Sequence, residues 1–202
     1  MKRFSIAVGL ALFLGHSPLF SQKMLDALTP DQLAQLNKGE LVVTSRDMPG
    51  GVWPELTVYT RVSAPVSAVG DVFLDYENAQ KYIPNLVSAK VIAQPEPDVR
   101  DVEYTSKMPL LGNSSYSVRN WYETGPDGIT VRWKLIQSPM AEISDGSLRV
   151  EPTEGGCVLR YTNYVKPKSS IAIVAKGAAQ SEVRKTVSAI KAEAERRAAQ
   201  GS

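Results

Sequence analysis

The sequence predicts an α+β domain in which a curved antiparallel sheet of about seven strands wraps one long C-terminal helix. Two patterns support this prediction. Six strand-like segments follow one another after Asn85, with turn sequences and no helical pattern between them. From Ser170 to about Ala199, apolar side chains instead recur at helical spacing opposite a face rich in Lys, Arg and Glu. Consecutive strands joined by short turns pair most simply with their neighbours, which makes the sheet antiparallel.

The chain before the sheet carries several short elements. The segment Thr29-Pro-Asp-Gln32 offers an N-cap, a proline at the first helical position and a glutamine that can close a capping box. A short helix is therefore expected there, and Gly39 can end it. A brief strand is expected at 41–44, and a longer one runs from about 56 to 64.

Two short helices are expected after this first long strand. Residues 66–73 carry valine and phenylalanine at helical spacing, and a second helical segment ends before Pro84. Asp75 and Glu77 lie at the start of that second helix. They could be interpreted as an acid/base pair, but carboxylates at this position are typical of helix capping.

The strands that follow alternate apolar and polar residues. Between 129 and 135 every second residue is apolar, so one face of the sheet is expected to be buried and the other to contact water. Glycines at 125–128 and 154–156 suit tight hairpins. The six strands are expected at 87–93, 99–108, 114–123, 129–137, 147–151 and 157–166. The apolar stripe of the final helix consists of Val183, Val187, Ile190 and Ala194.

Residues 1–21 have the pattern of a signal peptide. Lys2 and Arg3 precede an apolar run that covers residues 6–14, and Ser21 supplies a small residue before a cleavage point. A retained membrane anchor is the alternative, but the run is about half of the ~20 residues that span a bilayer. We therefore expect an exported protein, periplasmic or secreted, without a membrane anchor.

This prediction divides the chain into three parts. Residues 1–21 are the leader, residues 22–52 an N-terminal extension with a short helix, and residues 53–199 the folded domain. No repeat or low-complexity segment interrupts them.

Charge and composition exclude several classes of function. The chain carries 23 Lys and Arg against 21 Asp and Glu, and loss of Lys2 and Arg3 with the leader would balance them. A neutral domain without a basic run lacks the footprint of a nucleic-acid-binding protein. The single histidine, His16, lies in the leader, so the exported domain has no imidazole for a metal site or a hydrolase triad. Cys157, the single cysteine, is expected to be a small buried strand residue, and neither a metal nor a cofactor is expected.

Two segments resemble a known superfamily. Val72-Phe-Leu-Asp-Tyr-Glu-Asn-Ala-Gln-Lys-Tyr-Ile-Pro-Asn85 is similar to the helix-turn-helix phrase of the START-like, polyketide-cyclase and lipid-transport proteins (SRPBCC superfamily). Asp145-Gly-Ser-Leu-Arg-Val-Glu-Pro152, running on to Leu159-Arg-Tyr-Thr-Asn163, is similar to their later strands. With the final helix, the resemblance spans roughly residues 54 to 199. It implies the helix-grip fold and a deep cavity, which relatives use for sterols, phospholipids, quinones, polyketides or other apolar molecules.

Such a cavity needs apolar and aromatic walls with a few polar groups that orient the ligand. Strand alternation and the helical pattern supply candidates, for each of which ordinary core packing is the alternative. Tyrosines on a buried face also need hydrogen-bond partners, which a ligand or a cavity water can supply. The predicted ligand-binding residues are Tyr82, Tyr104, Met108, Tyr116, Val118, Trp133, Leu135, Tyr161, Val165, Ile171 and Val174.

An apolar turn separates two of the strands. Met108-Pro-Leu-Leu-Gly112 lies where START-like relatives carry a loop over the cavity mouth, so Pro109, Leu110 and Leu111 are expected to form a lid or a lip that touches a membrane transiently. The alternative is a turn whose leucines pack beneath the domain.

Three hypotheses for function remain open at this point. The first is a monomeric, non-catalytic carrier or sensor of a lipid or another hydrophobic small molecule. The second is a cyclase or dehydratase-like enzyme, which would need an ionisable group with a shifted pKa facing the cavity. The third is a cell-envelope interaction module with a filled core. The pocket separates them, because only the first two need one.

Overall fold

The computed structural model describes residues 24–108, 112–168 and 172–201, and the predicted signal peptide lies outside them. The N-terminal part contains α1 (Pro30–Asn37), β1 (Val42–Arg46), β2 (Glu55–Val62), α2 (Val66–Leu74) and α3 (Tyr76–Ala79). The C-terminal part contains β3 (Leu86–Glu96), β4 (Val99–Met108), β5 (Gly112–Gly125), β6 (Gly128–Gln137), β7 (Ala141–Thr153), β8 (Gly156–Pro167) and α4 (Ala172–Gln200).

The eight strands form one sheet in the order β1-β2-β8-β7-β6-β5-β4-β3, and every neighbouring pair is antiparallel. Strands β3 to β8 are the expected meander. The α2–α3 pair carries the chain across from β2 to β3, the two strands that the order places far apart. The α+β class and the helix-grip architecture are confirmed; the strand beyond the predicted seven is β1, which was expected as a brief strand at 41–44.

The inner face of the sheet packs on α4. Val187, Ile190 and Ala194 of the predicted stripe are buried against a core that includes Val58 and Leu148. Burying a valine or isoleucine side chain contributes about 1.5–3 kcal/mol, so this helix is a main source of stability for the sheet. Val183, the first member of the stripe, is half-buried because it borders a cavity instead.

Polar contacts hold α4 against the elements around it near its middle and near its C-terminal end. The Asn85 Nδ2 atom donates to Glu182 Oε2 at 2.8 Å, and Asn85 itself has a φ of 60°, which asparagine tolerates better than most residues. Towards the other end, Lys191 Nζ donates to the Arg61 carbonyl at 2.8 Å, and Glu195 Oε1 accepts from the Ser63 backbone at 2.8 Å. The helix is therefore fixed to β2 and to the turn before β3.

The outer face of the sheet is covered in part by the N-terminal segment. Met24, Leu28 and Leu36 are buried together with Tyr59 of β2 and Val158 of β8. The sequence predicted that this face contacts water, which is wrong for β2 and β8. The prediction rested on the strand pattern alone, which does not show that three apolar side chains of a preceding segment cover this face.

The start of α1 matches its predicted chemistry. The Thr29 side-chain oxygen accepts from the Gln32 backbone N–H at 3.3 Å, while the Gln32 Oε1 atom accepts from the Thr29 backbone N–H at 2.9 Å. This reciprocal capping box satisfies two of the N–H groups that a helix start leaves free. Within the described residues, none of the helices has the length and apolar character needed to cross a membrane.

Candidate ligand-binding cavity

A cavity of about 370 Å³ lies between the concave face of the sheet, the α2–α3 pair and α4. Its volume falls near the lower end of the ~300–1,000 Å³ typical of small-molecule pockets. Strands β4 to β8 form one wall, and α4 closes the opposite side with Val183, Thr186 and Ile190. The space between the curved sheet and α4 is therefore large enough for a compact ligand.

Eight of the predicted ligand-binding residues lie on the cavity wall. They are Tyr82, Tyr104, Tyr116, Val118, Trp133, Leu135, Tyr161 and Val165. Ile171 and the predicted lid residues Pro109, Leu110 and Leu111 lie outside the described residues, as do the side chains of Met108 and Val174. That these residues bind a ligand stays a prediction. Met108 and Gly112, the described residues on either side of the predicted lid, pair at the ends of β4 and β5.

Further lining residues escaped the sequence-based reasoning. The α2–α3 pair contributes more than Tyr82, because Val72, Phe73, Tyr76 and Ala79 also reach the cavity. Their helical spacing could have indicated a second face towards the sheet. A set of seven polar lining residues was missed as well, because small polar residues in a sequence are normally assigned to a face that contacts water. It consists of Ser106, Ser114, Asn120, Ser138, Ser144, Asn163 and Thr186.

Aromatic rings form two runs along the wall. Tyr104 stacks on Tyr116 with ring centroids 5.5 Å apart, because the two residues are direct partners in the β4–β5 ladder. Trp133 lies 5.1 Å from Tyr161 and 6.1 Å from Phe73, which links β6 and β8 to α2. These separations are typical of favourable aromatic pairs, worth about 0.5–1.5 kcal/mol each beyond their burial.

The position of Trp133 depends on a glycine in the neighbouring strand. Gly146 is its direct partner in the β6–β7 ladder, and a Cβ atom added to Gly146 would lie 2.2 Å from Trp133 Cζ2. The same Cβ atom would lie 2.4 Å from the Thr162 carbonyl oxygen. Only a residue without a side chain leaves the indole this room.

The tyrosines around the cavity fall into two groups: those whose hydroxyl makes a hydrogen bond within the protein and those whose hydroxyl makes none to a described residue. Tyr82 donates to the Val72 carbonyl at 2.7 Å, and the hydroxyls of Tyr76 and Tyr122 bond to each other. The hydroxyls of Tyr104 and Tyr161 have no hydrogen bond to any residue that the structure describes. These two hydroxyls are therefore available to a molecule in the cavity.

Burial raises the pKa of both tyrosines. Desolvation is the largest cause for Tyr104, followed by the neighbouring phenols of Tyr116, Tyr122 and Tyr161. Desolvation also raises the pKa of Tyr161. It raises the pKa of Tyr116 to about 12, although a hydrogen bond with Ser106 acts in the opposite direction. The three rings are only half-buried by accessible area, so the surface they expose faces the cavity. All three stay protonated at neutral pH and act as hydrogen-bond donors, not as bases.

The described lining carries no Asp, Glu, Lys, Arg or His side chain. Asp75 and Arg197, which are not lining residues, bond to each other beside Tyr82. Asp75 is the N-cap residue of α3, the position that the sequence predicted, but its side chain makes no capping hydrogen bond; its carboxylate accepts from the Asn78 and Arg197 side chains. The arrangement can enclose an apolar molecule and bond to its neutral polar groups.

Metal and thiol chemistry find no support in the described part of the chain. No group of three or more His, Cys, Asp and Glu side chains lies close enough together there to hold a metal ion. Cys157 is buried in β8 within the main core, and burial raises the pKa of its thiol to about 12. The thiol is thus a packing residue, as the sequence indicated.

Solved structures with the same fold come from several kinds of organism. A STAR-related lipid transfer protein fragment from Xanthomonas axonopodis superposes with a TM-score of 0.68 at 17% identity, over 76% of this chain and 93% of that chain. Human StAR-related lipid transfer protein 5 has a TM-score of 0.65 at 10% identity, over 88% and 93%. The Zhui aromatase/cyclase from Streptomyces sp. R1128 has a TM-score of 0.55 at 16% identity, over 78% and 96%.

At these identities the structures show the shared fold alone. No curated protein sequence matches the chain. The sequence profile described as "Polyketide cyclase / dehydrase and lipid transport" matches residues 54–195, which includes β2 to β8 and most of α4. The chain therefore belongs to the polyketide cyclase/dehydrase and lipid transport family.

Proposed function

We propose that this protein is an exported, non-catalytic carrier that holds a lipid or another hydrophobic small molecule in its internal cavity. The observation that supports the proposal most is the uncharged wall around a volume of about 370 Å³. An apolar ligand gains about 25 cal/mol for each Å² removed from water, and no buried charge opposes its entry. The protein would act as a monomer, with transient membrane contact when ligand is loaded or released.

Export rests on the leader pattern of residues 1–21. A basic start, a short apolar run and a small residue are typical of a cleaved signal peptide. The protein would therefore meet its ligand in the periplasm or outside the cell.

A cyclase or dehydratase-like enzyme is the second candidate, favoured by the row of tyrosines on the wall. The similar Streptomyces structure carries the name aromatase/cyclase, and phenols can assist ring closure by donating hydrogen bonds. Proton transfer at neutral pH, however, needs a group whose pKa lies near 7. The described lining offers only tyrosines with raised pKa values, so binding is the better proposal. The cavity also argues against the third hypothesis, an interaction module with a filled core.

Native mass spectrometry of the protein purified from an exporting bacterial host tests the proposal. We expect a fraction of the protein to carry a bound mass that organic extraction recovers as an apolar compound. The intact mass of the polypeptide reports export, because cleavage removes about the first 21 residues. Repeated recovery of empty protein that also ignores hydrophobic probes would contradict the carrier function.

Two adjacent serines of β5 supply a matched pair of variants. Ser114 lines the cavity, whereas Ser115 is exposed on the other face and bonds to Thr105 at 2.8 Å. Ser114→Phe places a ring in the cavity and should abolish the bound mass, while Ser115→Phe should retain it. Equal ligand content in the two variants would show that the molecule binds elsewhere.

A further inference from the structure

We propose that the cavity selects an uncharged, compact ring compound with a carbonyl or hydroxyl group, and that the Tyr104 and Tyr161 hydroxyls bond to this group. The inference rests on the proposed binding function and names the chemical class of the ligand. Four properties of the cavity lead to it: its neutrality, its size, its aromatic walls and its two free hydroxyls.

Neutrality excludes an ionised head group inside the cavity. A buried phosphate or carboxylate without a counter-charge costs several kcal/mol, so sites for such groups provide an arginine, a lysine or a helix N-terminus. None of the described lining residues is cationic. The polar part of the lining consists of hydroxyl and carboxamide groups, such as those of Ser144 and Asn163, which suit neutral partners.

The volume and the rings favour a compact, flat molecule. A cavity of about 370 Å³ is too small to enclose both chains of a phospholipid, whereas it can take a fused ring system. The Tyr104–Tyr116 stack on β4 and β5 and the Trp133–Tyr161 pair on β6 and β8 both line the concave face of the sheet. Aromatic rings along a cavity wall pack well on a planar ligand.

The two free hydroxyls define the position in the cavity where a polar group of that ligand can form hydrogen bonds. Tyr104 lies on β4 and Tyr161 on β8, four places apart in the sheet order, yet both side chains line the same cavity. Tyr116 lies beside both. Two O–H groups that line one cavity and have no acceptor among the described residues can donate to a carbonyl or hydroxyl oxygen of a ligand. The hydroxyls of Tyr76 and Tyr82 cannot, because protein groups already occupy them.

A set of related ring probes tests the inference through quenching of tryptophan fluorescence. Anthraquinone carries two carbonyls, anthracene has the same three rings without them, and anthraquinone-2-sulfonate adds a negative charge. A fluorescent phosphatidylcholine represents two-chain lipids. We expect anthraquinone to bind about 3- to 10-fold more tightly than anthracene, the effect of one or two net hydrogen bonds. The sulfonate and the phosphatidylcholine should bind at least about tenfold more weakly than anthraquinone.

Tyrosine-to-phenylalanine variants test whether these two hydroxyls form the hydrogen bonds to the ligand. Tyr104→Phe together with Tyr161→Phe should remove the preference for anthraquinone while leaving anthracene binding unchanged, which also shows that the cavity has folded. Tyr59→Phe is the matched control, because Tyr59 is buried on the outer face of the sheet. The control should keep the preference.

The outcomes separate this inference from the proposed function. Binding of anthracene and phosphatidylcholine without any preference for carbonyls would overturn the inference and leave a hydrophobic carrier. A preference that survives the double variant would overturn the assignment to Tyr104 and Tyr161. Absence of binding by every probe, with no compound recovered from the purified protein, would overturn the carrier function itself.

Discussion

Arg197 near the end of α4 contacts Asp75 between α2 and α3, with its Nη2 atom donating to Asp75 Oδ2 at 2.7 Å. The guanidinium carbon also lies 5.6 Å from the ring centroid of Tyr82, and Nε donates to Glu193 Oε1 at 2.7 Å. Tyr82 is a wall residue of the cavity. One side chain of the long helix therefore holds the helical pair that forms part of the binding site.

Removing this contact should cost stability. Arg197→Met is expected to lower the free energy of unfolding by about 1–2 kcal/mol, because it loses a partly buried ion pair and a cation–π contact. Arg196→Met is the control: its guanidinium is 52% exposed and bonds to Glu193 on the same helix, so its loss should cost under about 0.5 kcal/mol. Urea denaturation followed by circular dichroism measures both. Equal costs would mean that the link to Asp75 does not stabilise the fold.

Acid should weaken the same region. Burial alone would raise the pKa of Asp75, but the hydrogen bonds from Asn78 and Arg197 have the larger combined effect and lower it. Hydrogen bonds from Arg196 and Arg197 lower the pKa of Glu193 to about 2. Carboxylates with a lowered folded pKa stabilise the protein above their unfolded pKa near 4, and lose this effect as the pH falls towards 2. The stability difference between the wild type and Arg197→Met should therefore shrink between pH 5 and pH 2.5.

Urea titrations at several pH values check this prediction. A difference that stays constant down to pH 2.5 would show that the Arg197 side chain stabilises the fold through packing and not through its charge. Asp75→Asn supplies a second test, because its own stability should depend less on pH than that of the wild type.

Gly146 should tolerate no side chain. Gly146→Ala places a Cβ atom 2.2 Å from Trp133 Cζ2 and 2.4 Å from the Thr162 carbonyl, so either the indole or the β7–β8 pairing must shift. We expect a loss of about 1–3 kcal/mol and a change in tryptophan emission, because the added Cβ atom comes closest to the indole of Trp133. Gly125→Ala has open space around its Cβ position and should cost under about 0.5 kcal/mol. An unchanged emission spectrum in Gly146→Ala would contradict this account.

The N-terminal cover should unfold together with the sheet. Leu36 is fully buried against the outer face, and Leu36→Ala is expected to cost about 2–3 kcal/mol in a single unfolding transition. Leu74→Ala truncates a leucine that is 40% exposed and should cost under about 1 kcal/mol. A separate early transition in Leu36→Ala would show instead that the segment is an independent appendage.

The fold was largely predictable because its signals are local. The Thr29 capping box, the turns at 125–128 and 154–156 and the α4 stripe all depend on residues a few positions apart. The start of β7 was missed: it was expected at 147, yet the strand begins at Ala141. Residues 144–146 are serine, aspartate and glycine, which do not resemble a strand, because a cavity and an indole occupy the space where apolar side chains would otherwise pack.

The candidate site was predictable only in its apolar and aromatic part. Alternation identifies which face of a strand points inwards, so Tyr104, Trp133 and Tyr161 could be placed on the wall. A serine such as Ser144 lining an internal space looks like a serine facing water, since both positions lack apolar neighbours. Which hydroxyls remain free is also beyond a sequence, because it depends on distances across a curved sheet.

The cover formed by Met24, Leu28 and Leu36 has a practical consequence for making this protein. The family match begins at residue 54, some 30 residues after Met24. A recombinant fragment cut at that limit would lose β1 as well as the cover. Tyr59 and Val158 would then be exposed to solvent, and the backbone edge of β2 would be unpaired. Exposed apolar side chains beside an unpaired strand edge promote self-association. A fragment that keeps this face covered should therefore start at or before Met24 rather than at residue 54.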